Sequence, residues 1–522
     1  MKRTRALKNL LYAILSGLLL TASFPPGKFE WVAWFALVPL LKSLEDVTPF
    51  RAFKLGLLAG FAHYITLIYW IIVVLGHYGG LDIFTSMAVL ILFCLYLSLY
   101  PALFSLLAGL LNGKRSSLFI TASLWVSLEY LRAHFLTGFP WCLIGHTQYR
   151  TLGLIQIADL AGVYGISFLL VLSNCLIAVL LFSRHPLRRP CFKLDVSLFV
   201  ILLALTLLYG HQRSSGNETV PEVGQRVRVA VIQGNIDQSV KWEPAYQERT
   251  IEKYRQLSLS SGPYKPHLIV WPETSVPFFF QEKTDLSKEV SLLPGQLKAY
   301  LLFGSPAYGM KDGRNRYFNR VFVLSPAGEV AGQYDKTHLV PFGEYVPLKR
   351  FLPFVRRIVT AVGDFAPGTK IEPLKVPGFP PGILICFEVI FPELARTHVR
   401  KGAAILVNLT NDAWFGKTSA PYQHLSMAVF RAVENRRPLI RAANTGISAF
   451  ISKEGKMISR GEIFQEQVLR EEIVTSVPPP GFYTKYGDIF AALLTIICLI
   501  KIFFLLCYNH RIGRTKRSGL KQ

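Results

Sequence analysis

Apolar residues come in long blocks up to about residue 210, break into short runs for the next 280 residues, and return as one block near the C-terminus. The blocks at 55–75, 83–111, 118–135, 166–182, 196–209 and 489–508 match a bilayer crossing, which takes about twenty residues of helix. Two shorter blocks, 10–23 and 31–41, flank Pro25-Pro26-Gly27 and read as a thin or tilted hairpin. Together they predict an α-helical membrane bundle of eight spans. Lys2, Arg3 and Arg5 ahead of the first block resemble the start of a signal peptide, but no small-residue cleavage site follows and further spans do, so the block is an anchor.

The middle of the chain has a different period. Short β-branched runs at 227–233, 267–271, 300–304, 321–325, 383–386, 405–408, 439–442 and 448–452 read as strands, and 244–259, the stretch after Pro392, and 421–435 read as helices. Hairpin signals such as Ser325-Pro326-Ala327-Gly328 interrupt the alternation and favour an α/β sandwich over a doubly wound sheet. The expected organisation is a membrane domain at 1–215 with seven transmembrane helices, an extracytoplasmic domain at 220–475, an eighth helix at 486–510 and a basic cytoplasmic tail at 511–522.

Composition and charge agree with this partition. Of 522 residues, 51 % are hydrophobic, mean hydropathy is +0.35 and formal charge is +24. Such an excess can mark a nucleic-acid binder, but here Lys and Arg crowd every second loop: the N-terminus, 42–54, Lys114-Arg115, 184–193 and 511–521. That is the positive-inside pattern. It puts both termini in the cytoplasm and the 280-residue segment outside, which is the periplasm if the cell is Gram-negative, and argues against nucleic acid. Glu129 and Arg132, three apart on one helix face, are placed to pair. The stretch 138–165, opening with Gly138-Phe139-Pro140-Trp141, is too Gly-rich to span and too apolar to be solvated, so it must be covered by protein. Zinc-spaced cysteines, a Walker loop and GxGxxG are all missing from the sequence, so neither metal nor cofactor is implied.

Three positions carry candidate chemistry. Ile383-Leu384-Ile385-Cys386 brings a cysteine to a strand end; it is the only cysteine between the last two apolar blocks, and an unpaired thiol there is either a buried core residue or a nucleophile. Trp271-Pro272-Glu273 puts a carboxylate just past a second strand, and Lys336 stands eight residues before Glu344. Singly, these are a turn residue, a solvated charge and a surface acid. In the order Glu, Lys, Cys they resemble the triad of the nitrilase superfamily, and the resemblance, over 226 to about 470, implies an αββα fold. Asn411-Asp412-Ala413-Trp414-Phe415-Gly416 and Arg431-Ala432-Val433-Glu434-Asn435-Arg436 also look like nitrilase elements, the latter for positioning.

Over its whole length, membrane part included, the chain resembles the apolipoprotein N-acyltransferase family. The resemblance rests on the Gly-Phe-Pro-Trp loop, Trp-Pro-Glu, Lys336-Thr337-His338-Leu339-Val340-Pro341-Phe342-Gly343-Glu344, Cys-aromatic-Glu and Asn-Asp-x-Trp-Phe-Gly in this order. It implies Cys386 as nucleophile, Glu273 as base, Lys336 as oxyanion partner with the N–H of Phe387, and Glu344 holding Lys336. Trp242, Asn319, Phe387, Glu388 and Arg441 support the site or bind substrate; Phe387 stands where the family familiarly has Tyr. The implied partners are a phospholipid acyl donor, an apolipoprotein acceptor and the membrane, for a monomer. Two apolar segments, 276–280 and 347–362, would shield a thioester from water or serve as plain core. The rival readings are a membrane-tethered amidase acting on a small C–N substrate, and a transporter or scaffold whose soluble domain is inactive.

Overall fold

A computed structural model of the protein describes residues 2–111, 117–189, 191–214, 224–311, 313–345 and 365–518. It divides into two compact units, Met1–Tyr69 with Val89–His211 and Asp488–Gln522, and Trp70–Ala88 with Gln212–Gly487. Four described helices are long and apolar enough to cross a membrane: Ile83–Leu111, Ala158–Phe182, Phe192–Ser214 and Ile489–Cys507. Pro49–Leu67 and Ile71–Tyr78, bent by 56°, together pass as one broken span. The remaining blocks are helical but shorter or more polar. Leu118–His134 has 17 residues, and 31–41 forms a 3-10 turn, Glu30–Trp34, before a six-residue helix, Val38–Ser43. That helix is only about 9 Å long at 1.5 Å per residue.

In the first unit the 138–148 stretch is buried, and its polar backbone is held by side chains, as an apolar setting requires. Glu129 Oε1 accepts from Ile144 N at 2.8 Å, while Arg132 donates to Tyr64 Oη at 2.8 Å and to the Cys142 carbonyl at 3.4 Å. The two residues expected to pair thus direct their hydrogen bonds elsewhere. Gly145 is required for close approach: a Cβ there would lie 2.5 Å from the Val163 carbonyl.

The second unit is built on eleven strands: β1 Gln225–Gln233, β2 Leu268–Val270, β3 Tyr300–Lys311, β4 Arg314–Leu324, β5 Val330–Asp335, β6 Pro381–Ile385, β7 Ile405–Thr410, β8 Leu439–Ala443, β9 Ala449–Ile451, β10 Met457–Arg460 and β11 Gln467–Thr475. They form a six-stranded sheet, β11-β1-β2-β3-β4-β5, and a five-stranded sheet, β10-β9-β8-β7-β6. Period-2 alternation explains the layering. Val227, Val229 and Val231 of β1 face Ile383, Ile385, Val407 and Ile440 across the sandwich, while Ala230 and Ile232 face outward with Ile251 and Tyr254 of the helix Pro244–Leu259. Helices Pro392–Arg400 and Ala420–Asn435 pack on the second sheet, giving the expected αββα order.

The topology places the site. β1, β2 and β3 are parallel, β4 reverses and β5 reverses again. β2 and β5 therefore deliver their following residues, including Glu273 and Lys336, to the same edge of one sheet. Cys386 follows the C-terminal end of β6 in the other sheet.

Candidate active site

β2 ends in a forced turn. Trp271 is fully buried, and Pro272 has no N–H to continue the ladder. Thr274 takes φ +50°, and the turn fits only because Gly304 lies opposite: a Cβ there would stand 2.4 Å from Thr274 N. Glu273 is left 6 % exposed, with Oε1 accepting from Asn319 Nδ2 at 2.8 Å and Oε2 from Asn411 N at 2.9 Å. Both oxygens meet donors.

Lys336 follows β5, its N–H donating to the Asn319 carbonyl at 2.9 Å. Its ammonium, 1 % exposed, donates to Glu344 Oε1 at 2.9 Å and lies 3.7 Å from Glu273 Oε1. Burial acts to discharge it, but the carboxylates of Glu344 and Glu273 outweigh burial and hold it above the usual lysine range. Asn319 Nδ2 also donates to Glu344 at 3.0 Å, and Glu344 Oε2 accepts from Val340 N at 2.8 Å. One amide thus bridges the two carboxylates that flank the ammonium.

Cys386 begins a 3-10 turn, Cys386–Ile390, at φ +49°, a conformation that costs a non-glycine residue energy and persists only where neighbours enforce it. Glu388 supplies much of that enforcement. Fully buried, it accepts from Ile385 N at 2.8 Å with one oxygen and from Thr337 N at 2.7 Å, His338 N at 3.1 Å and Tyr334 Oη at 3.0 Å with the other. It ties the turn at Cys386 to the one at Lys336. Burial and the nearby Glu273 push the Cys386 thiol above its ordinary range against the pull of Lys336, so at rest it keeps its proton. Phe387 packs its ring against His338 and Phe391.

A second polar layer underlies Cys386. Arg441 donates to Asp412 Oδ2 at 2.7 Å and to Asn408 Oδ1, and Asp412 is held ionised by Arg441 and His424 despite burial. Arg431, paired with Glu434 at 2.6 Å, donates to the carbonyls of Val389 and Ile390, which fixes the far end of the 3-10 turn.

Glu273, Lys336, Glu344 and Asn319 are joined by hydrogen bonds, Glu388 holds the backbone turns that follow Lys336 and carry Cys386, and Arg441 lies in the layer below. Trp242 stands apart, 47 % exposed, while its neighbour Lys241 is buried and donates to the Glu273 carbonyl at 3.3 Å. Val276 and Phe280 belong to the outer core; Phe279 stacks on Tyr317. The stretch 347–362 lies outside the described residues. Sequence reasoning missed Lys241, Asn408 and His424, which no spacing marks out.

Comparison with known proteins fits both units. The family model described as "Apolipoprotein N-acyltransferase N-terminal domain" matches residues 16–176, and "Carbon-nitrogen hydrolase" matches 228–477. A relative from Geobacter metallireducens named apolipoprotein N-acyltransferase is 47 % identical, over 93 % of this chain and 92 % of its own. Relatives of the same name from Methylococcus capsulatus and Pseudomonas putida are each 34 % identical, over 92 % and 97 % of both chains respectively. With likeness running through the helical unit and the sandwich alike, the chain belongs to the apolipoprotein N-acyltransferase family.

Proposed function

We propose that the protein transfers an acyl chain from a membrane phospholipid, through a thioester on Cys386, to the α-amine of a diacylglyceryl-cysteine apolipoprotein. The observation that carries this reading is likeness to a named acyltransferase along 93 % of the chain, helical unit included, joined to a Glu-Lys-Cys site. In the first half-reaction Glu273 takes the thiol proton as sulfur attacks the ester carbonyl. The oxyanion forms beside the Lys336 ammonium and the Phe387 N–H. Collapse breaks the ester C–O bond, and Glu273 returns the proton to the departing lysophospholipid. In the second half the amine attacks the thioester, gives its proton to Glu273, and the amide forms as the thiolate leaves and is reprotonated. Ester to thioester to amide needs no outside energy source. Glu344 and Asn319 keep the two charges in register; Trp242 is proposed to meet substrate.

Mass spectrometry of a lipoprotein N-terminus from cells with and without the protein tests the reading. The N-acyl mass is expected only with it. An N-terminus left diacylated in both, with a small amide hydrolysed instead, would favour the amidase.

For topology we propose eight crossings, with the second made by the stretch 31–41, divided as 1–215, 220–475 and 486–510 with a basic tail at 511–522. The alternation of basic loops supports an inner-membrane protein with a periplasmic sandwich and cytoplasmic termini. Cysteines substituted at Arg188 and Gln296 should react with an impermeant maleimide in opposite senses, with only position 296 labelled from the periplasmic side. Labelling at 188 would overturn the orientation.

A further inference from the structure

The histidine beneath the nucleophile has no part in the mechanism so far. His424, on the helix Ala420–Asn435, is fully buried, and its Nε2 lies 3.2 Å from the Cys386 carbonyl oxygen. A carbonyl only accepts, so Nε2 carries a proton whichever charge state the ring takes. The ring is fixed from behind: Nδ1 lies 3.0 Å from Arg441 Nη2 and 3.1 Å from Asp412 Oδ1. The same carbonyl is approached by Asn408 Nδ2 at 3.4 Å, and Arg441 holds Asn408 through its oxygen. One guanidinium thus orients both side chains that grip the carbonyl of Cys386.

That carbonyl belongs to the peptide joining Cys386 to Phe387. A trans peptide is planar, with C=O and N–H pointing in opposite directions, so holding the oxygen inward turns the Phe387 N–H outward. The φ of +49° at Cys386 is a conformation the chain would otherwise leave. We infer that His424 is a positioning residue for the oxyanion site: by clamping the Cys386 carbonyl it aims the Phe387 N–H at the oxygen of the tetrahedral intermediate. This rests on the reading of Cys386 as the acylated nucleophile.

The consequence separates two reactions of one thiol. Alkylation by iodoacetamide displaces iodide and generates no oxyanion, whereas acylation passes through one. In the purified full chain, His424→Ala should leave the alkylation rate of the Cys386 peptide within about twofold of wild type. Its acylation by phospholipid vesicles, and by p-nitrophenyl butyrate as a soluble ester, should fall on the order of 10²-fold in kcat with KM little changed. His424→Gln keeps a donor and should recover most of the loss. The inference is overturned if His424→Ala is acylated at the wild-type rate, or if both variants lose alkylation and acylation together, which would indicate general disorder around the thiol. A wild type that is alkylated but acylated by neither ester would overturn the underlying reading, and the inference with it.

Discussion

Cys386→Ala is expected to abolish acyl transfer to the lipoprotein amine while leaving the fold in place. Among the described residues the turn after β6 presents one sulfur, and the neighbouring polar atoms of Glu388, Asn408 and Arg441 are engaged in hydrogen bonds. Cys386 packs only at the edge of the inter-sheet core, so removing its sulfur costs little packing, and thermal unfolding should shift by only a few degrees. Cys386→Ser keeps a nucleophilic atom but gives an oxygen ester instead of a thioester, less reactive toward an amine. It should therefore stall after the first half-reaction. Transfer measured on diacylated lipopeptide in vesicles checks both, and a Cys386→Ala protein that still acylates the amine at near wild-type rate would refute the nucleophile.

Glu273→Gln and Lys336→Ala should each slow acylation of Cys386 by on the order of 10²-fold or more, for different reasons. The Cys386 thiol is held above its usual range by burial and by Glu273, so attack needs a base at the moment of reaction. A glutamine cannot accept that proton. It also brings an NH2 group to a place where Asn319 Nδ2 and Asn411 N both donate, leaving one donor facing another. Lys336→Ala removes the oxyanion's cation and leaves the buried Glu273 and the partly buried Glu344 with only the Asn319 amide between them. Because Lys336 is held above the ordinary lysine range, its charge should persist across neutral and mildly alkaline pH, so no loss of wild-type rate from its deprotonation is expected below about pH 10. Excess acceptor should rescue neither variant, since both half-reactions form the same kind of intermediate. Stopped-time acylation followed by mass spectrometry of the Cys386 peptide reads both, and rescue by acceptor would contradict a shared role.

The parts of this architecture legible in the sequence are those set by local periodicity. The helix Pro244–Leu259 and the ends of β2 and β6 follow from apolar runs stopped by proline or by Cys386, and Glu273 and Cys386 sit at those ends, whereas β5, Val330–Asp335, carries no such run. Elements whose pattern is set by tertiary context escaped. β11 carries Arg470, Glu471 and Glu472, as suits an edge strand, and is recognisable only once it pairs with β1 from Gln225↔Thr475 to Gln233↔Gln467. The helix Asp285–Leu297 contains Pro294 and Gly295, which read as a break. The 31–41 block reads as one arm of a thin or tilted hairpin; Pro39 in the first turn of Val38–Ser43 and Asn174, which donates to the Ala33 carbonyl and accepts from Leu37 N, divide it. In the site, Glu273 and Cys386 are recognisable as types at strand ends, and Lys336 and Glu344 through their motif alone. The clamps are not: His424 meets Cys386 across 38 positions and Lys241 meets Glu273 across 32, and one chain read in order carries no mark of such pairings.

The most direct test is to look for the intermediate itself. Given phospholipid vesicles and no lipoprotein, the wild-type protein should accumulate one acyl chain on the Cys386 peptide, released by neutral hydroxylamine and by added diacylglyceryl-cysteine peptide, which should then carry the chain on its amine. A lipoprotein that becomes N-acylated while Cys386 never carries a hydroxylamine-labile chain would contradict the account.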